Sequence, residues 1–371
     1  MRVLFAGPYD TKGRYRGGIS YIVNTVYERK NSEVLEDVEL ETFNTCKVNR
    51  SKSGQGRFTL QNLKNTLEIL RDLKMATKQK KADVIYYNSS YGVALLKDLL
   101  TIQISGCRSH MKVIVHIHFA DYENILPTNA LLNRITFNLM KNSVDHLVFL
   151  SDNSRKRFVE KGIPSSKTSV IYNFHNIKMS KIELENKMQT NESSDVLNLI
   201  YLGSIDRRKG IIDLLKALQM VEIKYHLSVC GEAVDVQVRE DIDNILCNLP
   251  EGTIDFRGYV TGDVKDKLLF QSDVLVLPSY GEGFPIVLLE GIATANCIIT
   301  TSVGAIPEVF GSKNGVMIEP GDIKGLAKAI TEYANPEKRK ETMQFNYFQS
   351  KKFEINNYLV SLKKVCKSVG K

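Results

Sequence analysis

Short apolar runs rich in valine, isoleucine and leucine alternate along this chain with longer segments whose apolar residues return every three or four positions. The runs Val3–Ala6, Val38–Phe43, Val84–Tyr87, Val113–His118 and His146–Leu150 read as buried strands, with helical stretches between most of them. After a polar segment the alternation restarts at Leu197–Leu202, followed by a helix over Ile211–Gln219 and strands at His226–Cys230, Asp255–Arg257, Val274–Leu277 and Cys297–Thr300. Strand-helix alternation of this kind predicts a parallel α/β architecture, and its restart predicts two domains. Asn176–Asp195, rich in Lys, Glu, Asn and Ser, reads as a linker, and the tail after Pro336 reads as helical and charged. The first domain is therefore expected over 1–175, the linker over 176–195 and the second domain over 196–350.

In the stretch Arg57–Lys81, Leu60, Leu63, Leu67, Leu70 and Leu73 recur at helical spacing beside Lys64, Arg71, Lys74, Lys78, Lys80 and Lys81. This is an amphipathic helix with a basic flank, suited to packing on a sheet and also to resting on anionic lipid headgroups. Charge sharpens the contrast between the halves. The formal net charge of +8 arises from 26 Lys and Arg against 16 Asp and Glu in residues 1–175, and 24 against 26 in the remainder. A length of 371 residues suits two cores, and 43% hydrophobic with 25% charged residues suits a globular chain. No apolar run is long enough to span a bilayer, and the amino terminus reads as a first strand rather than a signal peptide. The expected location is the cytoplasm, peripheral at the inner face of the plasma membrane. Six scattered cysteines lack metal-type spacing and read as reduced, buried thiols.

Doubly wound sheets bind ligands beyond the carboxyl ends of their strands, so the loops there are the candidates. The first strand is followed by Gly7-Pro8-Tyr9-Asp10 and then a glycine cluster, Gly13 to Gly17 and Gly18, leading into a helix whose start offers N–H groups to an anion. Alternation in Val113–His118 puts His116 and His118 on one face, with His118 at the strand end, where an imidazole can bond a sugar hydroxyl or a nascent anion. Two histidines without further ligands at recognisable spacing do not make a zinc site. In Leu202–Gly210 three cations, Arg207, Arg208 and Lys209, precede a helix start, an arrangement suited to a diphosphate leaving group. Gly231 and Glu232 follow another strand, and Tyr259 and Val260 a further one; both pairs are candidates for lining a base pocket.

Ser279–Phe310 carries the densest chemistry. Glu282 lies in a Gly-Glu-Gly-Phe-Pro turn that opens an apolar helix near Pro285, and proline suits the first helical position. The free amides beyond it and the positive end of the helix dipole make an anion site. Glu290, about a turn and a half into the helix, is placed to accept hydrogen bonds from a ribose diol.

The order of these motifs resembles the family 4 retaining glycosyltransferases (glycosyl transferases group 1), and the likeness covers nearly the whole chain. Its strongest element is Glu282-x7-Glu290 within GEGFP, followed by Val303-Gly-Ala-Ile-Pro-Glu308. The resemblance implies the GT-B fold, two Rossmann-like doubly wound domains facing each other across a cleft, with an acceptor-binding first domain, a nucleotide-sugar-binding second domain and a C-terminal helix, 351–371, packing back on the first. It places Glu282 by the transferred sugar, Glu290 on the nucleotide ribose, and the Gly283, Phe284 and Ile286 amides toward sugar and phosphate. It also places Gly17 and Gly18 near the diphosphate, His118 near the sugar, and Lys209, before Gly210, on phosphate. The family's arginine after the strand-end glycine is replaced here by Ser204, so Arg207 or Arg208 supplies the missing charge. Val170–Asn176 replaces the more usual Pro-Asn-Gly, which leaves the role of Asn173 open.

The implied reaction is transfer of a sugar from a nucleoside diphosphate, UDP-linked by default and GDP-mannose as the other donor, to a glycan or lipid-linked saccharide of a surface polysaccharide such as capsule or lipopolysaccharide. No cofactor and no metal are expected, since cations can neutralise the leaving group. The partners implied are the nucleotide sugar, the acceptor and an anionic membrane surface, with no nucleic acid. The alternative carried is a nucleotide-sugar epimerase of GT-B-like fold. A nicotinamide-dependent oxidoreductase is disfavoured because no G-x-G-x-x-G follows the first strand.

Overall fold

A computed structural model describes residues 1–9, 17–46, 60–79, 82–192, 194–234, 236–249 and 253–370. The chain forms two compact units, one made of Met1–Asn173 with Ile355–Lys371 and the other of Phe174–Glu354.

Unit 1 contains six parallel strands, β1 (Arg2–Gly7), β2 (Glu39–Asn44), β3 (Val84–Ser89), β4 (Lys112–Ile117), β5 (His146–Phe149) and β6 (Thr168–Val170). Their order is β2-β1-β3-β4-β5-β6. Parallel strands covered by helices on both faces read as continuous apolar runs, and every residue of β3 and β5 is buried. At the edge, β2 keeps exposed and half-buried positions instead. Unit 2 repeats the plan with β7 (Leu197–Leu202), β8 (Tyr225–Cys230), β9 (Ile254–Gly258), β10 (Val274–Leu277), β11 (Cys297–Thr301) and β12 (Gly315–Ile318). Its order is β12-β11-β10-β7-β8-β9, again all parallel. Both sheets are thus Rossmann-like and doubly wound, as the pattern of apolar runs predicts. The strands β6 and β12, short edge elements, were not among the expected strands.

Three sequence expectations change. The segment 176–195 is not a linker: Lys181–Glu192 is a helix of unit 2, with Leu184, Lys187 and Asn191 buried on one stripe. Ser180 and Glu183 form its capping box, the Ser180 amide donating to Glu183 Oε2 at 2.7 Å and the Glu183 amide to Ser180 Oγ at 3.2 Å. The C-terminal boundary also moves. Lys351–Phe353 stays with unit 2, while the helix Ile355–Val369 belongs to unit 1, where Lys363 Nζ reaches Asp37 at 2.5 Å and the Val34 carbonyl at 2.9 Å. Finally, the leucines of the basic helix Leu60–Lys78 do not share one face. Ile69, Leu73 and Ala76 are buried, whereas Leu60, Leu63 and Leu67 are exposed. Arg57, Lys80 and Lys81 lie outside the described residues.

The buried Lys187 explains how so polar a helix docks. Its ammonium donates to the Leu269 carbonyl at 3.3 Å, the Thr294 carbonyl at 2.7 Å and Asn296 Oδ1 at 2.6 Å. Burial pushes its pKa down to about 7, opposed by the Asp273 carboxylate. Replacing the ammonium by an apolar end of similar length strands these acceptors, and an unsatisfied buried polar group costs about 1–3 kcal/mol. Lys187→Met is therefore expected to lower the free energy of unfolding by at least about 2 kcal/mol. Urea titration checks this, and an unmoved midpoint would remove Lys187 from the docking of the helix.

Candidate functional site

In unit 2 the chain runs outward from β7 through β8 and β9 in one direction, and from β10 through β11 and β12 in the other. The crevice of such a sheet opens where the order reverses, between the loops after β7 and β10. Those two loops carry Arg207–Gly210 and Ser279–Pro285.

They are laced together. The Tyr280 amide donates to the Arg208 carbonyl at 2.8 Å, and the Arg208 guanidinium donates to the Gly281 carbonyl at 2.7 Å. Lys209 Nζ lies 2.5 Å from Glu282 Oε1, with both side chains largely buried. Ser279 Oγ donates to the same carboxylate oxygen at 2.8 Å, and Thr301 Oγ1 holds the Ser279 carbonyl at 2.5 Å. Such an approach needs a glycine at 210, whose φ is +73° and where a Cβ would meet the Pro278 carbonyl oxygen at 2.0 Å. Gly304 plays the same part on the other side of the turn: its φ is +60°, and a Cβ would meet the Glu282 carbonyl oxygen at 2.2 Å. The Ala305 amide donates to the Gly283 carbonyl at 3.0 Å, so Val303–Glu308 clamps the GEGFP backbone.

Asp206 caps the three-residue cationic turn, accepting the Lys209 amide at 2.9 Å, and Ser204 Oγ donates to Asp206 at 2.6 Å. Arg207 turns away to pair with Asp241. Of the two candidate arginines, Arg208 is the one held against Gly281. The sequence did not single out Ser279 and Thr301; Ser279 lies just beyond β10 and Thr301 closes β11, a weak signal in each case.

Glu290 forms a second pair. It lies buried in the helix Ile286–Ala293 and meets Lys265 of the helix Gly262–Gln271. Burial pushes the Glu290 carboxyl up and the Lys265 ammonium pulls it back. Nothing in the sequence pointed to Lys265, since the partnership depends on how two helices pack. Pro285 stands at the cap with extended backbone rather than as the first helical residue, and no side chain caps the helix start beginning at Ile286. The Phe284 ring is buried near Phe310 and Phe353, so only its backbone is placed to serve a ligand. Gly231 is needed for packing, because a Cβ there would meet the Gly203 carbonyl oxygen at 1.9 Å. Glu232 beside it is exposed. Tyr259 and Val260 follow β9, two strands out from β7.

In unit 1 the order reverses between β1 and β3. Asn88, at the end of β3, donates from Nδ2 to the Ala6 carbonyl at 2.9 Å and meets His118 Nε2 through Oδ1 at 2.9 Å. His118 follows β4, its amide donating to the Ser89 carbonyl at 2.9 Å. Because the amide nitrogen of Asn88 already serves Ala6, its oxygen faces the ring and His118 Nε2 carries the hydrogen. Burial pushes the His118 pKa down to about 3, opposed by the Asn173 side chain. The ring is therefore neutral at physiological pH. His116 packs against it with ring centroids 4.0 Å apart and meets the Tyr86 hydroxyl at 2.9 Å in the core. Gly17 caps the helix Gly18–Glu28 in extended conformation, and a Cβ there would touch nothing, so the fold itself does not require its smallness. Asp10 and Gly13–Arg16 lie outside the described residues. Among the described residues no group of three or more His, Cys, Asp or Glu is placed to hold a metal ion.

A family model described as glycosyl transferases group 1 matches residues 197–335, and one described as glycosyltransferase family 4 matches residues 25–178. An uncharacterised 41.2 kDa protein in the cps region of Klebsiella pneumoniae is 23% identical over 95% of this chain and 97% of its own length. The Staphylococcus aureus capsular polysaccharide biosynthesis glycosyltransferase CapM is 24% identical over 54% of this chain, which spans only 55% of that protein. Among solved structures, Anabaena Alr3699/HepE in complex with UDP-glucose superposes with a TM-score of 0.70 at 19% identity, covering 99% of this chain and 100% of that one.

Lys265→Met would leave the Glu290 carboxylate buried and alone, with an expected cost of about 3–5 kcal/mol at neutral pH. The double variant Lys265→Met/Glu290→Gln is expected to recover most of it in urea unfolding. If it does not, Lys265 acts through packing rather than charge. A second expectation concerns pH. Burial holds His116 well below the usual range, His118 at about 3 and His146 at about 4. Unfolded histidine binds its proton near pH ~6.5, so these groups contribute stability above that pH and lose it as pH falls toward their folded values. Unfolding free energies compared at neutral and mildly acidic pH should drop by about 1.4 kcal/mol per pH unit for each histidine. A flat profile would show that the rings are not held neutral.

Proposed function

Because this chain belongs to the family 4 glycosyltransferases and carries their GT-B fold, we propose that it transfers a sugar from a nucleoside diphosphate donor, UDP-linked in the first instance. The acceptor is a hydroxyl of a glycan or lipid-linked saccharide in surface polysaccharide assembly, presented at the inner face of the plasma membrane. The anomeric configuration is retained. Support for the donor comes from the UDP and UDP-glucose complexes of the structurally similar HepE, and support for the pathway from the capsule glycosyltransferase CapM.

The observation that carries the reading is the Lys209–Glu282 pair at the β7/β10 crevice, with Arg208 beside it and an uncapped helix start at Ile286. In the reaction the acceptor oxygen bonds to the anomeric carbon as the bond from that carbon to the β-phosphate oxygen breaks. The acceptor proton passes to the departing phosphate on the same face, giving the glycoside and the nucleoside diphosphate. No protein base is needed. Lys209 and Arg208 stabilise the charge that grows on the diphosphate, which is where fixed cations act most strongly, so the chemistry is assigned without a metal. Glu282 holds Lys209 in place and accepts from sugar hydroxyls. Glu290, kept in its pocket by Lys265, accepts from the ribose diol. In unit 1, His118 acts as a neutral hydrogen-bonding group toward a sugar hydroxyl rather than as a cation.

Glu282→Ala and Lys209→Ala are each expected to lower transfer at least about 100-fold with the circular dichroism spectrum retained. Full activity in both would sink the site assignment, and release of a rearranged nucleotide sugar without acceptor would favour the epimerase. Thermal-shift measurements with UDP, GDP and ADP should give the largest rise for UDP; a larger rise with GDP would move the donor to GDP-mannose.

A further inference from the structure

Three helices of unit 1, Leu60–Lys78, Val93–Ser105 and Ala130–Ser143, pack side by side. A helix packed on a sheet normally buries its apolar stripe and shows water a polar one. These helices bury Ile69, Leu73, Leu95, Leu99 and Met140, yet their outer faces are also apolar. Leu60 is 87% exposed, Leu67 57%, Ile104 56% and Leu131 67%, with Leu63 at 55% and Ile135 at 37%. Lys64, Arg71, Lys74, Lys78, Arg134 and Lys141 are exposed on the same helices, together with neutral residues such as Gln103 and Asn138. No exposed position among the described residues of the three helices carries a carboxylate. Glu68 and Asp72 are half-buried, Asp72 pairing with the exposed Arg71 at 3.2 Å, and Asp98 is buried, accepting from Ser89 Oγ at 2.7 Å.

Scattered exposed leucines are ordinary, but a face that combines large apolar side chains with one sign of charge has a specific complement. Leucine and isoleucine gain by leaving water for acyl chains. Lysine and arginine lay their stems along that boundary while their heads meet phosphate. We propose that this three-helix face docks the protein on a bilayer leaflet containing anionic lipid. The proposal deepens the functional reading, on which it rests for its purpose of bringing the protein to a lipid-linked acceptor. Its physics is that of the face alone.

The test uses the full chain and phosphatidylcholine vesicles with or without phosphatidylglycerol. The wild type should co-sediment with the phosphatidylglycerol vesicles, less so as salt rises. Each cation near the surface contributes roughly fivefold in partitioning, so the fourfold variant Lys64→Gln, Arg71→Gln, Lys74→Gln, Lys78→Gln should lose at least tenfold, roughly. Leu63→Ser with Leu67→Ser should weaken binding at every salt concentration, and neither set touches the core. The chain has no tryptophan, so Leu67→Trp gives a single reporter whose emission should shift to the blue on vesicles. Equal binding to neutral vesicles, binding unchanged in both variants, or an unmoved emission would overturn the proposal. So would a wild-type dimer that the same variants dissolve, without vesicle binding. A UDP thermal shift on the same proteins separates the two readings: loss of that shift with vesicle binding intact condemns the donor site and leaves the docking face standing.

Discussion

The ion pair between Lys209 and Glu282 sets the terms for the rest of unit 2. An ammonium and a carboxylate largely withdrawn from water are stable only when held close and given further partners, here Ser279 Oγ. Holding them requires the loops after β7 and β10 to touch, and they touch because position 210 has no Cβ to meet Pro278. A second glycine, at 304, lets the following segment press on the turn that carries Glu282. The glycines are thus as much a part of the charge arrangement as the charges themselves. The strand order puts these loops where the connectivity of the sheet reverses, the place at which doubly wound sheets bind ligands.

Legibility in the sequence followed a physical rule. Strands buried on both faces announced themselves, and β10, Val274–Leu277, needed no adjustment. Motif residues at strand ends, such as Glu282, Lys209 and His118, were readable because the doubly wound fold decides where strand ends lead. What the sequence hid was of two kinds. Partnerships made by packing, such as Lys265 with Glu290, have no local spacing to betray them. Elements stabilised by polar contacts looked like loops: the helix Lys181–Glu192 has few apolar residues and docks through Leu184, Lys187 and Asn191, although its Ser180 and Glu183 capping box was there to be read. The outward turn of Leu60, Leu63 and Leu67 was hidden for the opposite reason, since apolar spacing alone does not say which stripe faces the sheet.

The two units handle charge in opposite ways. Unit 2 draws cations inward and pairs them, as Lys187, Lys209 and Lys265 show. Unit 1 buries neutral imidazoles behind its sheet and places cations outside, among exposed aliphatic side chains. Inward cations are screened little by salt, whereas outward ones act only within a Debye length. Ionic strength therefore reaches one set of interactions and leaves the other nearly untouched.

Unit 1 is assembled from both sides of unit 2 in the chain, since Ile355–Val369 completes it after Phe174–Glu354 has passed. Tyr358, Leu359, Leu362 and Cys366 of that helix are buried, so the first unit has an uncovered apolar face for as long as the ribosome is still making the second. Unit 2, continuous in sequence, has all its strands at hand earlier. Domains fold as units during synthesis, and here the later-made one is positioned to finish first, while the first unit keeps the docking surface of Ile355–Val369 open until that helix emerges.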